Sequence, residues 1–201
     1  MNRRAGRAAG LVVMLGLAGC QPSGQDAAGQ APASGPAPVP APASASLAGY
    51  AGLRIGGRLA DVPAAAGLVA AGMRELMQGD CEYYSQGPLP AGMSMMVLGE
   101  RIARFDAAAR GDAVQAAAAR PADAPALPYG LWVGMGMDTA RQQLPAGVVS
   151  SPHAYAWPDG EYLTWTDKTG PLALRLETLD GVVTAIYWGQ PDAVELIEGC
   201  A

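Results

Sequence analysis

An internal repeat constrains the fold of this chain more than any other feature of its sequence. DCEYYSQG at residues 80–87 is echoed by DGEYLTWT at 159–166, and GLRIG at 52–56 is echoed 78 positions later by GLWVG. A third pair, MSMMVLGERIARF and LALRLETLDGVVTAI, occurs in the same order at nearly the same spacing. The pattern predicts a duplicated, pseudo-symmetric body, because two copies are too few to form a solenoid.

Each copy predicts a helix followed by antiparallel strands. Asp61, with Pro63 in the first turn, begins a helix expected to run to Met77, and Asp138 begins a shorter one. Asp180-Gly181 between two β-rich arms is typical of a two-residue type I′ hairpin. We therefore predict an α+β fold of two pseudo-repeats, each a helix plus antiparallel strands, with the helices packed on one sheet face.

The hairpin at Asp180-Gly181 also predicts which side chains share a face. A regular register places Leu174 opposite Tyr187, on the face that packs against the helices. Trp188 then falls on the other face, together with Arg175 and Glu177. That second face is mixed in character and is expected to be available to a ligand or partner.

The N-terminal sequence has the pattern of an export signal. MNRRAGRAAGLVVMLGLAGC has a basic start and an apolar run that is too short for a membrane-spanning helix, which needs about 20 apolar residues. Its end, Leu17-Ala18-Gly19-Cys20, resembles the bacterial lipobox. The resemblance implies cleavage before Cys20, a diacylglyceride on its sulfur and a further acyl chain such as palmitate on the new N-terminus. Gln21 favours the outer membrane, facing the periplasm; the alternative is an ordinary signal peptide with a chance cysteine.

A tether is expected to follow the lipidated cysteine. The segment up to residue 48 is rich in alanine and proline and has no apolar periodicity, so it is predicted to be disordered. The predicted organisation is a signal peptide at 1–19, the lipidated cysteine and tether at 20–48, repeat 1 at 49–106, a linker at 107–128, and repeat 2 with a C-terminal strand at 129–201.

The charge of the chain excludes one class of partner. Aspartate and glutamate number 18 against 13 basic residues, giving a net charge of −5. An acidic surface repels nucleic acid and anionic lipid headgroups. We therefore expect membrane attachment through the lipid anchor alone and no nucleic-acid binding.

Two cysteines remain once Cys20 is lipidated. Cys81 lies in the first copy of the opening motif, and Cys200 follows AVELIEG, which predicts a final strand. An even pair of thiols in an oxidising compartment predicts a disulfide that ties the tail to the first repeat. The alternative is two free thiols.

Few residues are suited to catalysis. His153 is the only histidine, it opens the predicted strand HAYAW, and no Gly-x-Ser-x-Gly elbow, nucleotide loop or metal-ligand spacing accompanies it. Asp159 and Glu161 could act on a glycoside as paired carboxylates, but carboxylates that flank a turn are usually solvated. We expect no enzymatic activity, no metal and no cofactor.

Aromatic residues concentrate in the second half and supply the candidate binding surface. Exposed tryptophan and tyrosine beside acidic side chains can anchor a protein or stack on a sugar. The candidate binding residues are Trp188, Trp157, Trp165, Tyr162, Arg175 and Glu177. Two hypotheses follow: a tethered module that binds an envelope or extracellular protein through an exposed sheet face, and a lectin-like module that binds carbohydrate.

Several motifs carry a family resemblance. GYAGLRIG, YLTW, DGVVTAI and VELIEGC are similar to a family of uncharacterised proteobacterial lipoproteins, some of which are labelled lectin. The duplicated order of glycine-ended segment, helix, strands and Asp-Gly hairpin also resembles the beta-lactamase inhibitor protein and the BamE/SmpA-type outer-membrane lipoproteins. This resemblance implies helices packed on one sheet face and an opposite face that receives a partner.

Overall fold

The computed structural model describes residues 45–109 and 114–201 of the chain. The predicted signal peptide, the lipidated Cys20 and most of the tether lie outside these residues. Within the two ranges, no helix is both long and apolar enough to cross a membrane. The folded body begins slightly before the predicted boundary, since Ala45–Ser46 already pair with Gly49–Tyr50.

The described chain is mostly β-structure, arranged in two antiparallel sheets. The smaller sheet has three strands: β1 (Ala45–Ser46), β2 (Gly49–Tyr50) and β3 (Leu53–Arg54). The larger has eight: β4 (Val69–Ala70), β5 (Cys81–Ser85), β6 (Met93–Leu98), β7 (Arg101–Ala108), β8 (Val149–Pro152), β9 (Gly160–Thr166), β10 (Ala173–Leu179) and β11 (Val182–Gly189). Its order is β4-β5-β6-β7-β11-β10-β9-β8, so two four-stranded meanders join along β7 and β11.

The predicted α+β fold of two helix-plus-strand repeats is wrong, because helix contributes little to this chain. The α-helices in the described ranges are α1 (Met73–Met77), α2 (Met137–Gln143) and α3 (Pro191–Val194), of five, seven and four residues. Helices this short cannot cover one face of an eight-stranded sheet. Only α2 begins close to a predicted helix start, one residue before Asp138.

Glycine breaks the long helix that was expected between Asp61 and Met77. Gly67 and Gly72 take left-handed backbone angles, with φ of 72° and 82°, which end a right-handed helix. Between them Val69–Ala70 pair with β5 as the edge strand of the large sheet. Sheet pairing and glycine conformation therefore override the helix propensity of an alanine-rich segment.

The hydrophobic core lies between one face of the large sheet and a layer of strands, loops and a short helix. The small sheet contributes Tyr50 and Leu53, and α2 contributes Ala140. Sheet residues in the same cluster are Met93, Met95, Val97, Ile102, Phe105, Leu163, Leu174, Leu176, Val183, Ile186 and Trp188. The segment from Leu127 to Met135 completes the layer, so irregular chain takes the place that helices were predicted to fill.

A β-bulge in the second hairpin reverses the predicted faces of β11. The register shifts between Glu177 and Thr178, leaving Thr184 as the extra residue, and Leu174 then lies opposite Trp188 instead of Tyr187. A slip of one residue moves every later side chain to the other face of the sheet. Trp188 therefore packs in the core, stacked on Phe105 with ring centroids 5.4 Å apart.

The first hairpin carries a bulge at the corresponding place. Met96 pairs with Arg104 and Val97 with Ile102, which leaves Ala103 as the extra residue. The shift sends Phe105 into the core and turns Arg104 to the opposite face. That opposite face buries three charged side chains and is called the polar face below; it comprises Tyr83, Arg104, Asp106, Tyr162, Arg175, Glu177 and Tyr187.

The C-terminal tail crosses the polar face and is tied to its far side. After β11 the chain forms α3, which lies against β7, β10 and β11, and then turns rather than the predicted final strand. Cys200 is joined to Cys81 in a disulfide; their Cα atoms are 5.3 Å apart and their sequence separation is 119. This is the disulfide that was predicted from the sequence, and it fastens the tail to β5.

Candidate functional site

Arg104 is the centre of the contacts that hold the tail on the polar face. Its guanidinium donates to both carboxylate oxygens of Asp106, at 2.6 and 3.0 Å, and to the hydroxyl of Tyr83 at 2.6 Å. It also donates to the backbone carbonyls of Ala193 at 2.6 Å and Leu196 at 2.9 Å. One buried cation thus joins strands β5 and β7 to the tail.

Burial sets the protonation of the groups around Arg104. Burial raises the pKa of the Asp106 carboxyl, and the neighbouring guanidinium opposes that rise. Burial, reinforced by the charge of Asp106, also raises the pKa of the Tyr83 hydroxyl. The side chain of Tyr83 is therefore neutral at physiological pH and serves as a hydrogen-bonding group.

A cation–aromatic contact between Arg175 and Tyr162 occupies the other half of the polar face. The guanidinium carbon of Arg175 lies 3.9 Å from the ring centroid of Tyr162, and both residues are buried. Arg175 also pairs with Glu195 of the tail. The tail is therefore held by an arginine of each half of the sheet.

His153 lies beside this contact with both ring nitrogens engaged. Its Nδ1 accepts hydrogen bonds from the backbone N–H groups of Tyr155 at 3.1 Å and Ala156 at 3.2 Å. Its Nε2 lies 2.6 Å from Oε1 of Glu177, and the hydroxyl of Tyr187 donates to Oε2 at 2.7 Å. Because Nδ1 accepts two hydrogen bonds, it carries no proton of its own. The ring proton is therefore on Nε2, which donates to Glu177. Burial and the Glu177 carboxylate raise the pKa of the Tyr187 hydroxyl.

The loop at residues 153–159, called the aromatic loop below, presents large side chains to solvent. Tyr155 is 69% exposed and Trp157 is 61% exposed, although the loop is anchored by the buried His153. The hydroxyl of Tyr155 donates to Glu198 of the tail. This contact places the aromatic loop against the part of the tail that carries the exposed Leu196 and Ile197.

A cavity of about 360 Å³ opens next to the aromatic loop. Its polar lining consists of His153, Glu177, Thr184 and Tyr187, and Ala156 of the loop forms part of its wall. Thr184 is the bulge residue of β11, and its hydroxyl donates to the backbone carbonyl of Glu177 at 3.1 Å. The one carboxylate that faces the cavity is that of Glu177. His153 and Tyr187 each donate one hydrogen bond to it, and its remaining lone pairs are free to accept from a ligand.

Two tryptophans predicted to bind are placed elsewhere by the sheet. Trp188 is 0% exposed, so its prediction as the first binding residue is wrong; the bulge in β11 is the reason. Trp165 lies opposite Leu174 and packs against the core, with its ring edge-on to Tyr129 at 5.6 Å. Trp188 therefore has no surface to offer a ligand, and Trp165 is only partly exposed.

The other four predicted binding residues have different fates. Arg175 is buried and paired with the tail, and Tyr162 is buried against Arg175 and His153, so the sheet face on which they lie is not open as predicted. Glu177 is partly exposed and lines the cavity, while Trp157 is exposed on the aromatic loop, which forms turns rather than the predicted strand HAYAW. The structure brings Glu177 and Trp157 to the same region and separates both from Trp165 and Trp188.

The aromatic loop as a unit was missed by the sequence prediction. Tyr155 was counted as a strand residue, and no pattern pointed to Leu196 and Ile197 as exposed. Pro152 and Pro158 flank the loop and were the available signal, because proline favours turns over strand interiors.

The two carboxylates of the alternative glycoside-acting pair have different surroundings. Glu161 pairs with Arg141 at 2.9 Å and accepts from the hydroxyl of Ser150 at 2.6 Å. Asp159 lies in the turn of the aromatic loop and is exposed. Across residues 45–109 and 114–201, no group of three or more histidine, cysteine or acidic side chains could hold a metal ion.

Comparison with known proteins adds no relative. The chain matches no protein-family model, no curated protein and no solved structure. The resemblance to envelope lipoproteins therefore stays a prediction, and function is argued from the geometry of the polar face and the aromatic loop.

Proposed function

We propose that this protein is a non-catalytic binding module, held at the cell envelope by a lipid on Cys20, and that the aromatic loop docks a protein partner. The single observation that carries the proposal is the pair of exposed rings, Tyr155 and Trp157, on a loop anchored by a buried histidine. The binding surface is thus the aromatic loop with the adjoining tail, in place of the open sheet face expected from the sequence.

Anchoring of the loop favours tight recognition. His153 accepts from two backbone N–H groups of the loop, so the exposed rings are presented with little conformational freedom left to lose on binding. Exposed aromatic side chains of this kind supply much of the binding energy at protein interfaces. Leu196 and Ile197 add apolar surface from the tail.

Charge around the loop indicates the character of the partner. Asp159 lies on the loop and Glu198 accepts from the hydroxyl of Tyr155; both carboxylates are exposed, so the rim beside the two rings is acidic. Complementary interfaces place opposite charges at the rim, where they speed association. We expect a partner with an apolar pocket bordered by basic residues.

The bonding of His153 supports a non-catalytic role. A general base needs a free nitrogen within reach of the group that it deprotonates. Both nitrogens of His153 are committed, to backbone N–H groups and to Glu177, so this histidine serves to hold the loop.

Site-specific cross-linking in intact cells tests the docking surface. A photoreactive amino acid replaces Trp157, and in a matched control it replaces Leu76 on α1, which is 75% exposed and lies on the first half of the fold. The expected result is one discrete protein adduct at position 157 that Tyr155→Ala diminishes, with no such adduct at position 76. Equal adducts at both positions would mean nonspecific contact and would refute the surface.

A second candidate is a carbohydrate-binding module, favoured by the cavity that Glu177 lines beside the same loop. A sugar would stack on an aromatic ring and bond to the carboxylate, so Trp157→Ala and Glu177→Gln should both abolish glycan binding. A protein partner needs Trp157 but not the charge of Glu177. Binding of the purified protein to an array of envelope glycans, with both variants, separates the two candidates.

Membrane attachment has its own test. The intact mass of the mature protein should equal the chain from Cys20 onward plus the attached acyl chains, and Cys20→Ser should release the protein from the membrane fraction. A mature chain whose mass shows no acyl chains would contradict the lipid anchor. It would not affect the docking surface, which the cross-linking experiment tests separately.

A further inference from the structure

A cavity of about 540 Å³ lies in the first half of the fold, whereas the aromatic loop belongs to the second half. It opens between the small sheet, the turns that follow it and Pro88, and its floor is Ile102 of the core. Leu53 and Val62 contribute further apolar wall. Its volume falls within the range of about 300–1,000 Å³ that is usual for small-molecule sites.

Positive charge borders this apolar cavity. Arg54 and Arg58 both line it, and within the described residues neither side chain forms an ion pair or a hydrogen bond. Asp61 lines it too and pairs with neither arginine, so the lining charge is two minus one, or +1, on a chain whose net charge is −5. Arg101 lies close by, with its guanidinium donating to the carbonyl of Gly56 at 2.7 Å.

We infer that this cavity binds an anionic amphiphile, with an apolar chain inside the cavity and a carboxylate or phosphate head at Arg54 and Arg58. The apolar wall rewards burial of a hydrocarbon chain. Guanidinium groups form paired, charge-assisted hydrogen bonds with carboxylate and phosphate. A neutral or cationic ligand would leave both arginines without a counter-charge, and a purely polar anion would leave the apolar wall uncovered. This inference is independent of the docking surface at the aromatic loop.

Fluorescence of a conjugated long-chain fatty acid tests the inference on the full chain. The probe is cis-parinaric acid, and its methyl ester is the uncharged control. Arg54→Gln with Arg58→Gln removes the head site, and Lys168→Gln removes one exposed positive charge elsewhere. Ala66→Leu fills the cavity, and Ala65→Leu adds the same bulk on the same turn, outside the lining. Competition by oleate and by a lysophosphatidate distinguishes a carboxylate head from a phosphate head.

The expected pattern separates the head site from the apolar site. The acid should bind at least about tenfold more tightly than the ester, and the double arginine variant should lose that preference, because charged hydrogen bonds are worth about that factor. Ala66→Leu should weaken both probes, while Lys168→Gln and Ala65→Leu should behave as the wild type. Equal binding of acid and ester, or full binding by Ala66→Leu, would overturn the inference. Absence of binding by either probe, with an oligomeric state that Ala66→Leu alters, would overturn it in favour of a second copy of the chain.

Discussion

Replacing Arg104 with methionine tests how the tail is held on the polar face. The substitution keeps a long side chain but removes the donors to Asp106, Tyr83 and the carbonyls of Ala193 and Leu196. The Asp106 carboxylate then stays buried, at 7% exposure, without its counter-charge. The structure therefore predicts that this single buried substitution lowers the free energy of unfolding by a large amount.

The size of that loss follows from the burial of the pair. Removing one partner of a buried ion pair costs about 3–5 kcal/mol, a large share of the roughly 5–15 kcal/mol that keeps a typical domain folded. The carbonyl of Leu196 belongs to an exposed residue, so water can replace its lost bond and the cost should stay within this range. Adding Asp106→Asn removes the uncompensated charge at nearly the same shape and should restore at least about 2 kcal/mol.

The single variant should also acquire a pH dependence of definite sign. Burial raises the pKa of Asp106, and loss of Arg104 removes the charge that opposes this rise. A raised folded-state pKa gives stability that is present below the unfolded value of about 4 and is lost as pH rises through the folded value. Relative to the wild type, Arg104→Met should therefore be less destabilised at pH 5 than at pH 8.

Urea denaturation followed by tryptophan fluorescence measures these effects, since the chain has four tryptophans. The wild type, Arg104→Met, Asp106→Asn and the double variant form a complete cycle. A loss below about 1 kcal/mol for Arg104→Met, or a double variant no more stable than the single one, would refute the proposed role of this buried pair.

Three further predictions test the core, the tail and the buried tyrosines. Trp188→Ala should lower the free energy of unfolding by about 3–5 kcal/mol without altering ligand binding, because the ring lies in the core; a stable variant with lost binding would restore the original surface assignment. Cys200→Ser should lower it by up to about 5 kcal/mol in urea under oxidising conditions, given the long loop closed to Cys81, and should match the reduced wild type. Burial raises the pKa of Tyr83 and Tyr187. The stability that the two neutral side chains contribute is complete below the unfolded tyrosine pKa of about 10. Above that pH the free energy of unfolding should fall by about 1.4 kcal/mol per pH unit for each ring. Tyr187→Phe should remove one share of that slope, and tyrosinate absorbance of all seven tyrosines appearing near pH 10 before unfolding would contradict it.

The turn of the second hairpin and the disulfide that fastens the tail could be predicted from the sequence, although the strand predicted for the tail could not. Asp180-Gly181 marks a turn whatever surrounds it, and both residues take the left-handed angles that such a turn needs, with φ of 50° and 73°. The pairing of Cys81 with Cys200 follows from counting thiols in an oxidising compartment. Neither inference depends on how distant segments pack.

The faces of the strands could not be predicted because one residue of register decides them. A β-bulge has no strong sequence signal, and the extra Thr184 and Ala103 look like ordinary strand residues. Each bulge exchanges the two faces beyond it, which buries Trp188 and brings Arg104 to the polar face. The prediction of a helix between Asp61 and Met77 was wrong for a related reason. Val69–Ala70 pair with β5, and this tertiary contact has no local signal in the sequence.

The affinity of the cross-linked partner for a set of purified variants tests the proposed function most directly. Trp157→Ala should weaken binding about thirtyfold or more, as loss of an interface anchor does, while Glu177→Gln and the exposed control Leu76→Ala should bind like the wild type. All three variants should unfold at the urea concentration of the wild type or close to it. Wild-type affinity in Trp157→Ala would contradict the docking surface, and equal weakening by Glu177→Gln would favour the cavity as the binding site.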